Sequence, residues 1–317
     1  MIIRLLFKIR KGYKMTFIEK TKKDFKKNKY NYLIILPVLI YLILFSYKPM
    51  YGVVIAFQRY QPTLGIAKSK WVGFENFIRF FNDMYFTRVV GNTLKINLLS
   101  ILFSFPAPII LALVLNEVKV SWFKRTVQTI TYLPYFIATM VMCNLIIQFC
   151  RLDGVASQLV QFFGGKPQNL LMQSEWFYPI YIISDIWQQV GWGSILYLAA
   201  LSGIDQEQYE AAKIDGAGRL QQIRFITLPG IITVVTIQLI LRIGSILKVG
   251  YEKILLLYNE LTYDVADVIS TYVYRKGLVG GEYSYSTAVD LFNSVVGIIF
   301  LLAANKICKK LGQSGLF

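Results

Sequence analysis

The sequence contains no histidine among its 317 residues and only three cysteines. The absence of histidine excludes Ser-His-Asp triads, histidine general bases and most zinc sites. Cys143 and Cys150 lie on one predicted helix, about 10 Å apart along its axis, which is too far for a disulfide. Cys308 stands alone, so we expect all three cysteines to be packing residues that bind no metal.

Charge is also scarce: Asp, Glu, Lys and Arg make up 16% of the chain, whereas 55% of it is hydrophobic. A soluble domain usually carries about 25% charged residues. Several apolar runs approach the ~20 residues that a helix needs to cross a ~30 Å hydrocarbon core. Because lipid offers the backbone no hydrogen-bond partner, each span must be helical. The sequence therefore predicts an all-α polytopic membrane protein.

Six transmembrane helices can be drawn along the chain. They are residues 30–50, 88–116, 127–150, 177–201, 228–249 and 284–308. Lys119, Lys124 and Arg125 crowd the short connection after the second span, and an excess of Lys and Arg marks cytoplasmic loops. We therefore expect cytoplasmic N- and C-termini, an extracytoplasmic loop at 51–87 and a cytoplasmic tail at 309–317.

The net charge of +16 is due in large part to residues 1–29, which hold eleven Lys and Arg. Basic residues beside a span most often report orientation, so this segment is expected to be cytoplasmic, with no nucleic-acid partner. The apolar stretch at its start is short, is broken by Arg4 and Lys8 and lacks a cleavage site, so we expect it to be retained. Met15 is an alternative start.

Proline punctuates the second span at Pro106 and Pro108, within FSFPAPIILALVLNEV. A proline inside a helix removes a hydrogen bond and predicts a kink or a broken turn. A hinge used in transport and a proline that is merely tolerated in a membrane helix both remain open.

A short segment of mixed charge, YEAAKIDGAGRLQQIRFITLPG, separates the fourth and fifth spans. Asp205 followed by Gln208 predicts a helix N-cap with a capping-box-like partner, and residues 206–214 favour a helix. Gly216 then breaks that helix, and residues 219–227 predict further helical turns. The segment is thus predicted to form a helix, a tight turn and a second helix.

The same segment carries a spaced motif: Glu-Ala-Ala, three residues, Gly216, nine residues, Ile226, one residue, then Leu228-Pro229. This is the full EAA signature, and the segment closely resembles the cytoplasmic coupling loop of binding-protein-dependent ABC importer permeases. The flanking stretches FKRTVQTITYLPYFIATMV and GNTLKINLLSILFSFPAPIILALVLNEV are similar to the six-span carbohydrate and oligosaccharide importer branch. The resemblance covers about residues 30–310.

The resemblance implies a type I ABC importer permease fold, with a five-helix core at 88–308 and a coupling loop at 202–229. In that family the coupling loop docks into a groove on a separate ATPase subunit. Carried over residue by residue, the docking helix and turn would be Glu210, Ala211, Ala212, Asp215, Gly216 and Ala217, with Leu228 and Pro229 leading into the fifth span.

The resemblance also implies partners and a location. They are two ATPase subunits, a second homologous permease, an extracytoplasmic solute-binding protein and an oligosaccharide cargo, in the bacterial cytoplasmic membrane. The sequence has no G-x-x-x-x-G-K-[ST] phosphate loop, so we expect no enzyme activity and no cofactor in this chain, with ATP and Mg²⁺ in the partner subunits.

Polar residues inside spans are the candidates for the substrate pathway, because each is unfavourable in lipid unless it faces protein or water. Asp185, Gln188, Gln189 and Trp192 share one helix face at i, i+3, i+4 and i+7. This face could contact a sugar, through both hydrogen bonds and ring stacking, or tie helices together. Weaker single candidates are Asn144, Gln238 and Asn293, while Lys95, Arg242 and Asp290 either snorkel or pair.

Two other functions remain open from the residues. The same machine could carry a peptide, a polyol or another polar solute. A secondary transporter could use Asp185 or Asp290 as a proton or sodium site, although the EAA motif and the lack of a detectable repeat argue against it. An intramembrane enzyme is disfavoured by the absence of histidine and of clustered carboxylates.

Overall fold

The computed structural model describes residue 25, residues 27–312 and residues 315 and 316. Most of the predicted basic segment 1–29, including Arg4, Lys8 and Met15, lies outside the described residues.

The first of two compact units ends at Val54 and contains one apolar helix. α1 (Lys29–Leu42) continues through a π-helical turn at Ile43–Tyr47 into α2 (Lys48–Met50). The side chains of residues 29–50 are exposed, although most of them are apolar. A helix that is apolar on every side is suited to lipid, as the predicted first span requires.

The second unit, residues 55–317, is mostly helical. Near its start, β1 (Gln58–Arg59) pairs antiparallel with β2 (Lys70–Trp71). The α-helices are α3 (Gly65–Lys68), α4 (Glu75–Phe81), α5 (Phe86–Leu99), α6 (Pro106–Glu117), α7 (Ser121–Tyr132), α8 (Thr139–Cys150), α9 (Val155–Phe162), α10 (Ser174–Ser202), α11 (Gln206–Ile214), α12 (Arg219–Gln222), α13 (Leu228–Gly244), α14 (Tyr251–Leu257), α15 (Tyr263–Ala266), α16 (Ile269–Val273) and α17 (Tyr283–Lys310). Short π or 3-10 turns lie at Tyr51–Phe57, Ser100–Ser104, Leu133–Phe136, Leu170–Met172, Ile223–Thr227, Glu260–Thr262 and Tyr274–Val279.

Among the residues that the structure describes, five helical stretches are long and apolar enough to cross a membrane. They are Lys29–Phe57, Phe86–Glu117, Thr139–Phe162, Arg219–Gly244 and Tyr283–Lys310. α10 is not one of them, although its 29 residues exceed the ~20 that a span needs. Its interior holds Asp185, Gln188 and Gln189, which lower its mean hydropathy. Apolar character therefore supports five of the six predicted spans, and α10 is the remaining candidate.

The predicted third span, 127–150, is wrong as a single helix. α7 ends, a 3-10 turn follows at Leu133–Phe136, and Ile137 and Ala138 are extended before α8 begins. Pro134 explains the break, because it has no N–H with which to continue the hydrogen-bond ladder of α7.

The fifth span also differs from the predicted 228–249. Its helix starts earlier, at Arg219, passes through the π turn and ends at Gly244. The helical turns predicted at 219–227 are therefore present, and they are continuous with the fifth span, which the prediction began only at the apolar run.

The irregular turn predicted before Pro106 is confirmed. The N–H of Phe105 donates to the carbonyl of Ser100 at 2.9 Å, which is the wide spacing of a π turn. Because Pro106 cannot donate, the chain passes from α5 to α6 through this wider turn.

α10 is the central helix of the second unit and packs against α6, α7 and α13. At Gly191 the helix approaches α7 so closely that a Cβ atom would lie 2.0 Å from the carbonyl oxygen of Thr131. Tyr197, Leu201 and Ile231 form one buried cluster at the end of α10 near the segment that carries the EAA motif. These contacts fix the face of α10 on which the polar residues lie.

Candidate functional site

Two adjoining cavities lie along α10. The first has a volume of about 530 Å³ and is lined toward the C-terminal half of α10 by Trp192 and Tyr197. The second, of about 370 Å³, is lined toward the N-terminal half by Tyr181. Asp185, Gln189 and Arg242 line both cavities, so the two form one polar path past α10.

The structure brings the predicted polar face of α10 to this path. Asp185 and Gln189 line both cavities, Trp192 lines the first and Gln188 lines the second. Gln188 also donates from Nε2 to the carbonyl oxygen of Ile137 at 3.3 Å, on the extended stretch before α8. The same face therefore lines the cavities with polar groups and also hydrogen-bonds to the extended stretch before α8.

Trp192 packs against other aromatic rings, yet much of its side chain remains exposed in the first cavity. Its ring stacks on Tyr135 with centroids 4.6 Å apart and planes 5° apart, and Phe136 meets it edge-on at 5.6 Å. The side chain nevertheless keeps 43% of its surface exposed. The break at Pro134 places these two rings, which the prediction of an unbroken third span could not foresee.

The weaker candidates separate into two groups. Gln238 on α13 lines the first cavity with Trp192. Neither Asn144 nor Asn293 is a lining residue of either cavity in the described part of the chain. Asn144 is exposed on α8, whereas Asn293 is buried in α17, and its Oδ1 has no hydrogen-bond partner among the described residues.

Arg242 was not chosen as a pathway residue from the sequence, yet it lines both cavities. Its Nη2 donates to Oγ of Ser100, at the π turn between α5 and α6. A charged residue near the end of an apolar span was the available signal, but its position in the cavity depends on how α5 and α13 pack.

Lys253 is the second residue that the sequence analysis missed. It lies on α14, in the connection between α13 and α17, and only 7% of its surface is exposed. Its Nζ donates to the carbonyl oxygen of Tyr181 at 3.2 Å and lies 4.6 Å from the centroid of the Tyr181 ring. Burial lowers the pKa of Lys253 to about 8, against the opposing attraction of Asp185.

A second feature of the unit is the segment that carries the EAA motif. α11 spans the predicted residues 206–214, and Oδ1 of Asp205 caps it by accepting from the N–H of Glu207 at 3.0 Å. The predicted cap is thus confirmed, although the N–H that it binds is one residue earlier than in a capping box with Gln208.

The turn after α11 depends on Gly216, whose φ of +75° is strained for any residue with a Cβ. The N–H of Ala217 donates to the carbonyl of Ala212 at 2.8 Å, and that of Gly216 to Lys213 at 3.1 Å. This pair of bonds is the Schellman arrangement that ends a helix. Downstream, the N–H of Gly218 donates to Oε1 of Gln221 at 2.7 Å and starts α12.

The EAA segment presents an exposed surface on this single chain. Glu210, Ala211 and Asp215 are exposed, Ala212 and Ala217 are half-buried, and Leu228 and Pro229 are exposed at the start of α13. Large apolar side chains accompany them, since Ile214 and Leu220 are 87% and 82% exposed. Exposed apolar side chains around small residues are typical of a protein interface.

A network of charges orders the long connection between α13 and α17. The carboxylate of Asp267 is fully buried and contacts Arg275 at 2.7 Å and Arg88 at 3.1 Å. Asn92 donates to the carbonyl oxygens of Asp264 and Asp267 at 2.9 and 3.0 Å. These contacts therefore hold the connection in a defined conformation.

Comparison with known proteins identifies a family and close structural relatives. The model of the family described as "Binding-protein-dependent transport system inner membrane component" matches residues 104–308. The polygalacturonan/rhamnogalacturonan transport system permease protein YteP of Bacillus subtilis (strain 168) is 47% identical over 292 residues, which cover 92% of this chain and 91% of that protein.

Two solved structures also match over nearly the whole chain. One is a bacterial alginate ABC transporter in complex with an alginate pentasaccharide-bound periplasmic protein, with a TM-score of 0.84, 42% identity and coverage of 93% of this chain and 99% of that chain. The other is a bacterial ABC transporter involved in the import of the acidic polysaccharide alginate, with a TM-score of 0.84, 43% identity and coverage of 92% and 99%.

Proposed function

From the premise that this chain belongs to the family of binding-protein-dependent transport system inner membrane components, we propose how it carries out sugar import. It is a multi-pass membrane protein and a permease subunit of the sugar ABC importer class. Its cargo is an oligosaccharide that passes along α10 through the two polar cavities.

The observation that carries this proposal is the polar path itself. Asp185, Gln189 and Gln238 offer hydrogen-bond partners for sugar hydroxyls, and Trp192 offers a partly exposed aromatic ring. A continuous polar surface in a membrane unit needs water or a polar solute to cover it. The names of the related proteins, which refer to polygalacturonan, rhamnogalacturonan and alginate, support an oligosaccharide derived from a polysaccharide.

The EAA segment is proposed to couple this path to ATP hydrolysis in two separate ATPase subunits. Its exposed Glu210, Ile214 and Leu220 form a surface that a groove on another protein could cover. α12 continues through the π turn into α13, which carries Gln238 and Arg242. A displacement of the docked segment would therefore move one wall of the cavity directly. We propose no ATP, Mg²⁺ or other cofactor on this chain.

The remaining partners follow from the same proposal. An extracytoplasmic solute-binding protein delivers the oligosaccharide, as the alginate transporter complexed with its periplasmic protein suggests. A second, related permease supplies the rest of the pathway wall, because this chain alone leaves both cavities partly open. The complex lies in the bacterial cytoplasmic membrane, with six spans that include α10 and with both termini in the cytoplasm.

The first test is purification of the tagged chain in mild detergent, with identification of the proteins that accompany it. We expect an ATPase and a second permease. Recovery of the chain alone, together with uptake driven by an ion gradient in liposomes, would instead support the secondary transporter that uses Asp185 or Asp290.

The docking assignment is tested by Glu210→Lys, which reverses a charge on the exposed face of α11. We expect co-purification of the ATPase and ATP-driven uptake both to fall at least about tenfold, because a like-charge contact at an interface is unfavourable by several kcal/mol. Glu260→Lys makes the same charge change in the connection before α17 and serves as the control. Full co-purification and uptake with Glu210→Lys would disprove the docking assignment.

A further inference from the structure

Lys253 buries an ammonium group that has no carboxylate of the described residues beside it. Its side chain is 7% exposed and lines the second cavity, and its one hydrogen bond among the described residues is to the carbonyl oxygen of Tyr181. No Asp or Glu oxygen of the described residues lies within 4.0 Å of its Nζ. A buried charge without a counter-charge is unfavourable, so this position is electrostatically incomplete.

The charge of Lys253 persists at neutral pH despite its burial. Its pKa of about 8 leaves the amine mostly protonated at pH 7. Asp185 raises the pKa, so its carboxylate acts on Lys253 from beyond ion-pair distance. The ammonium group thus keeps donor capacity toward the cavity.

Arg242 is a second cation on the same cavity. It is half-buried, and its guanidinium group donates a hydrogen bond to Oγ of Ser100. It also has no carboxylate within 4.0 Å among the described residues. A planar guanidinium group binds a carboxylate through two parallel hydrogen bonds, which an ammonium group cannot do.

The charged groups around the second cavity are unequal in number. Arg242, Lys248 and Lys253 supply three positive charges, whereas Asp185 and Glu252 supply two negative ones. The volume of about 370 Å³ is within the usual range for a small-molecule pocket. The cavity therefore offers acceptors for hydroxyl groups and an excess of donors for an anion.

We propose that the second cavity is a carboxylate subsite, in which Lys253 and Arg242 bind the carboxylate of a uronate residue in an acidic oligosaccharide. This inference rests on the proposed function and adds the residues that select the cargo. Asp185, Gln188 and Gln189 accept from or donate to the hydroxyls of the same sugar. Because Arg242 also lines the first cavity, it remains in contact with the carboxylate as the sugar advances.

The subsite selects against neutral sugars as well as for acidic ones. A neutral sugar in this cavity would separate Lys253 and Arg242 from water without supplying a negative charge. Buried polar groups left without a partner are the strongest source of discrimination between similar ligands. Arg242 and Lys253 are thus specificity-determining residues.

The test is uptake by proteoliposomes that contain the assembled importer and its binding protein. The two probes are trigalacturonate and the same trisaccharide with all its carboxyls methyl-esterified, so that only the charge differs. We expect Lys253→Met and Arg242→Gln each to lower uptake of the acid about tenfold, as loss of a charged hydrogen bond does, and to leave uptake of the ester within about twofold. The acid-to-ester uptake ratio of each variant is divided by that of the wild type. Any preference of the binding protein for one probe then cancels, because the same binding protein is present in every assay.

Three further variants control for packing and charge. Lys166→Gln removes an exposed lysine of the connection after α9, and we expect it to leave the ratio unchanged. Lys253→Arg and Arg242→Lys keep the positive charge, and we expect them to recover most of the preference for the acid. If Lys253→Met fails to co-purify with the ATPase, the acid-to-ester uptake ratio of Arg242→Gln tests the carboxylate subsite instead.

An equal fall in uptake of both probes would show that the two cations serve packing, and would overturn the inference. An unchanged ratio in Arg242→Gln would overturn it as well. Uptake of neither probe by the wild-type importer would overturn the proposed function itself, so the two failures are distinguishable.

Discussion

Two clusters of basic side chains in the second unit differ in how their charge is balanced. In the connection after α13, the fully buried carboxylate of Asp267 contacts Arg275 of the same connection and Arg88 of α5. Along α10, Arg242 and Lys253 face cavities and have no carboxylate within ion-pair distance among the described residues. A charge that the chain pairs internally stabilises structure, whereas a charge left unpaired beside a cavity is available to a ligand.

The difference also follows from where the partners come from. Asp267 and Arg275 lie eight residues apart on one connection, and Oγ1 of Thr271 between them donates to Asp267 at 2.9 Å. The cavity cluster instead gathers residues from α5, α10, α13 and α14, with Ser100 at the π turn. The first cluster therefore fixes the conformation of one connection and joins it to α5 through Arg88, whereas the geometry of the second depends on how four helices pack.

The largest effect is expected from Asp267→Asn, which leaves Arg88 and Arg275 without their shared counter-charge. We expect the free energy of unfolding to fall by about 3 kcal/mol, at the low end for a buried pair because both arginines are about one-third exposed. Thermal unfolding of the purified complex measures this. Asp153→Asn, at an exposed position, is the control and should shift the free energy by no more than about 0.5 kcal/mol. An unchanged melting temperature in Asp267→Asn would show that the ion pairs of Asp267 do not stabilise the structure, and the two clusters would then not differ in this respect.

An intermediate effect is expected from Trp192→Ala, which tests the cavity cluster without changing a charge. Loss of the stack on Tyr135 should lower the free energy of unfolding by about 1 kcal/mol, while oligosaccharide uptake falls by more than assembly with the ATPase does. Trp187→Ala is the matched control, because Trp187 lies on the opposite, apolar side of α10 and is similarly exposed. Parallel loss of uptake and assembly would assign Trp192 to packing alone.

The smallest effect on stability is expected from Lys253→Met, although its effect on cargo selection is large. Methionine is unbranched and only one heavy atom shorter than lysine, and it removes a buried charge that has no ion-pair partner among the described residues. We therefore expect a change of less than about 1 kcal/mol, in the stabilising direction. Thermal unfolding of the Lys253→Met and Asp267→Asn variants, measured side by side, compares their free energies of unfolding. A loss as large as that of Asp267→Asn would mean that Lys253 is a structural cation.

The EAA segment shows what local sequence could predict. The bounds of α11, the cap at Asp205 and the turn at Gly216 were all predicted and are found in the structure. Caps and glycine turns depend on neighbours within a few residues, so they can be predicted from the local sequence. The polar face of α10 was predicted for the same reason, because helical period alone places Asp185, Gln189 and Trp192 together.

The third span shows where such reasoning failed. Apolar content favoured one helix through 127–150, although Pro134 lay within it and the chain breaks there. The stack of Tyr135 on Trp192 then depends on how α7 and α8 meet α10, which no local pattern encodes.

The sequence by itself determined most of the apolar spans, the EAA turn and the polar face of α10, because each follows from helical period, turn chemistry or composition within a short stretch. Only the tertiary structure decided that Asp267 neutralises two arginines while Arg242 and Lys253 stay unpaired on a cavity. The physical reason is that the free energy of a buried charge depends on the groups around it, and those groups come from helices far apart in the chain.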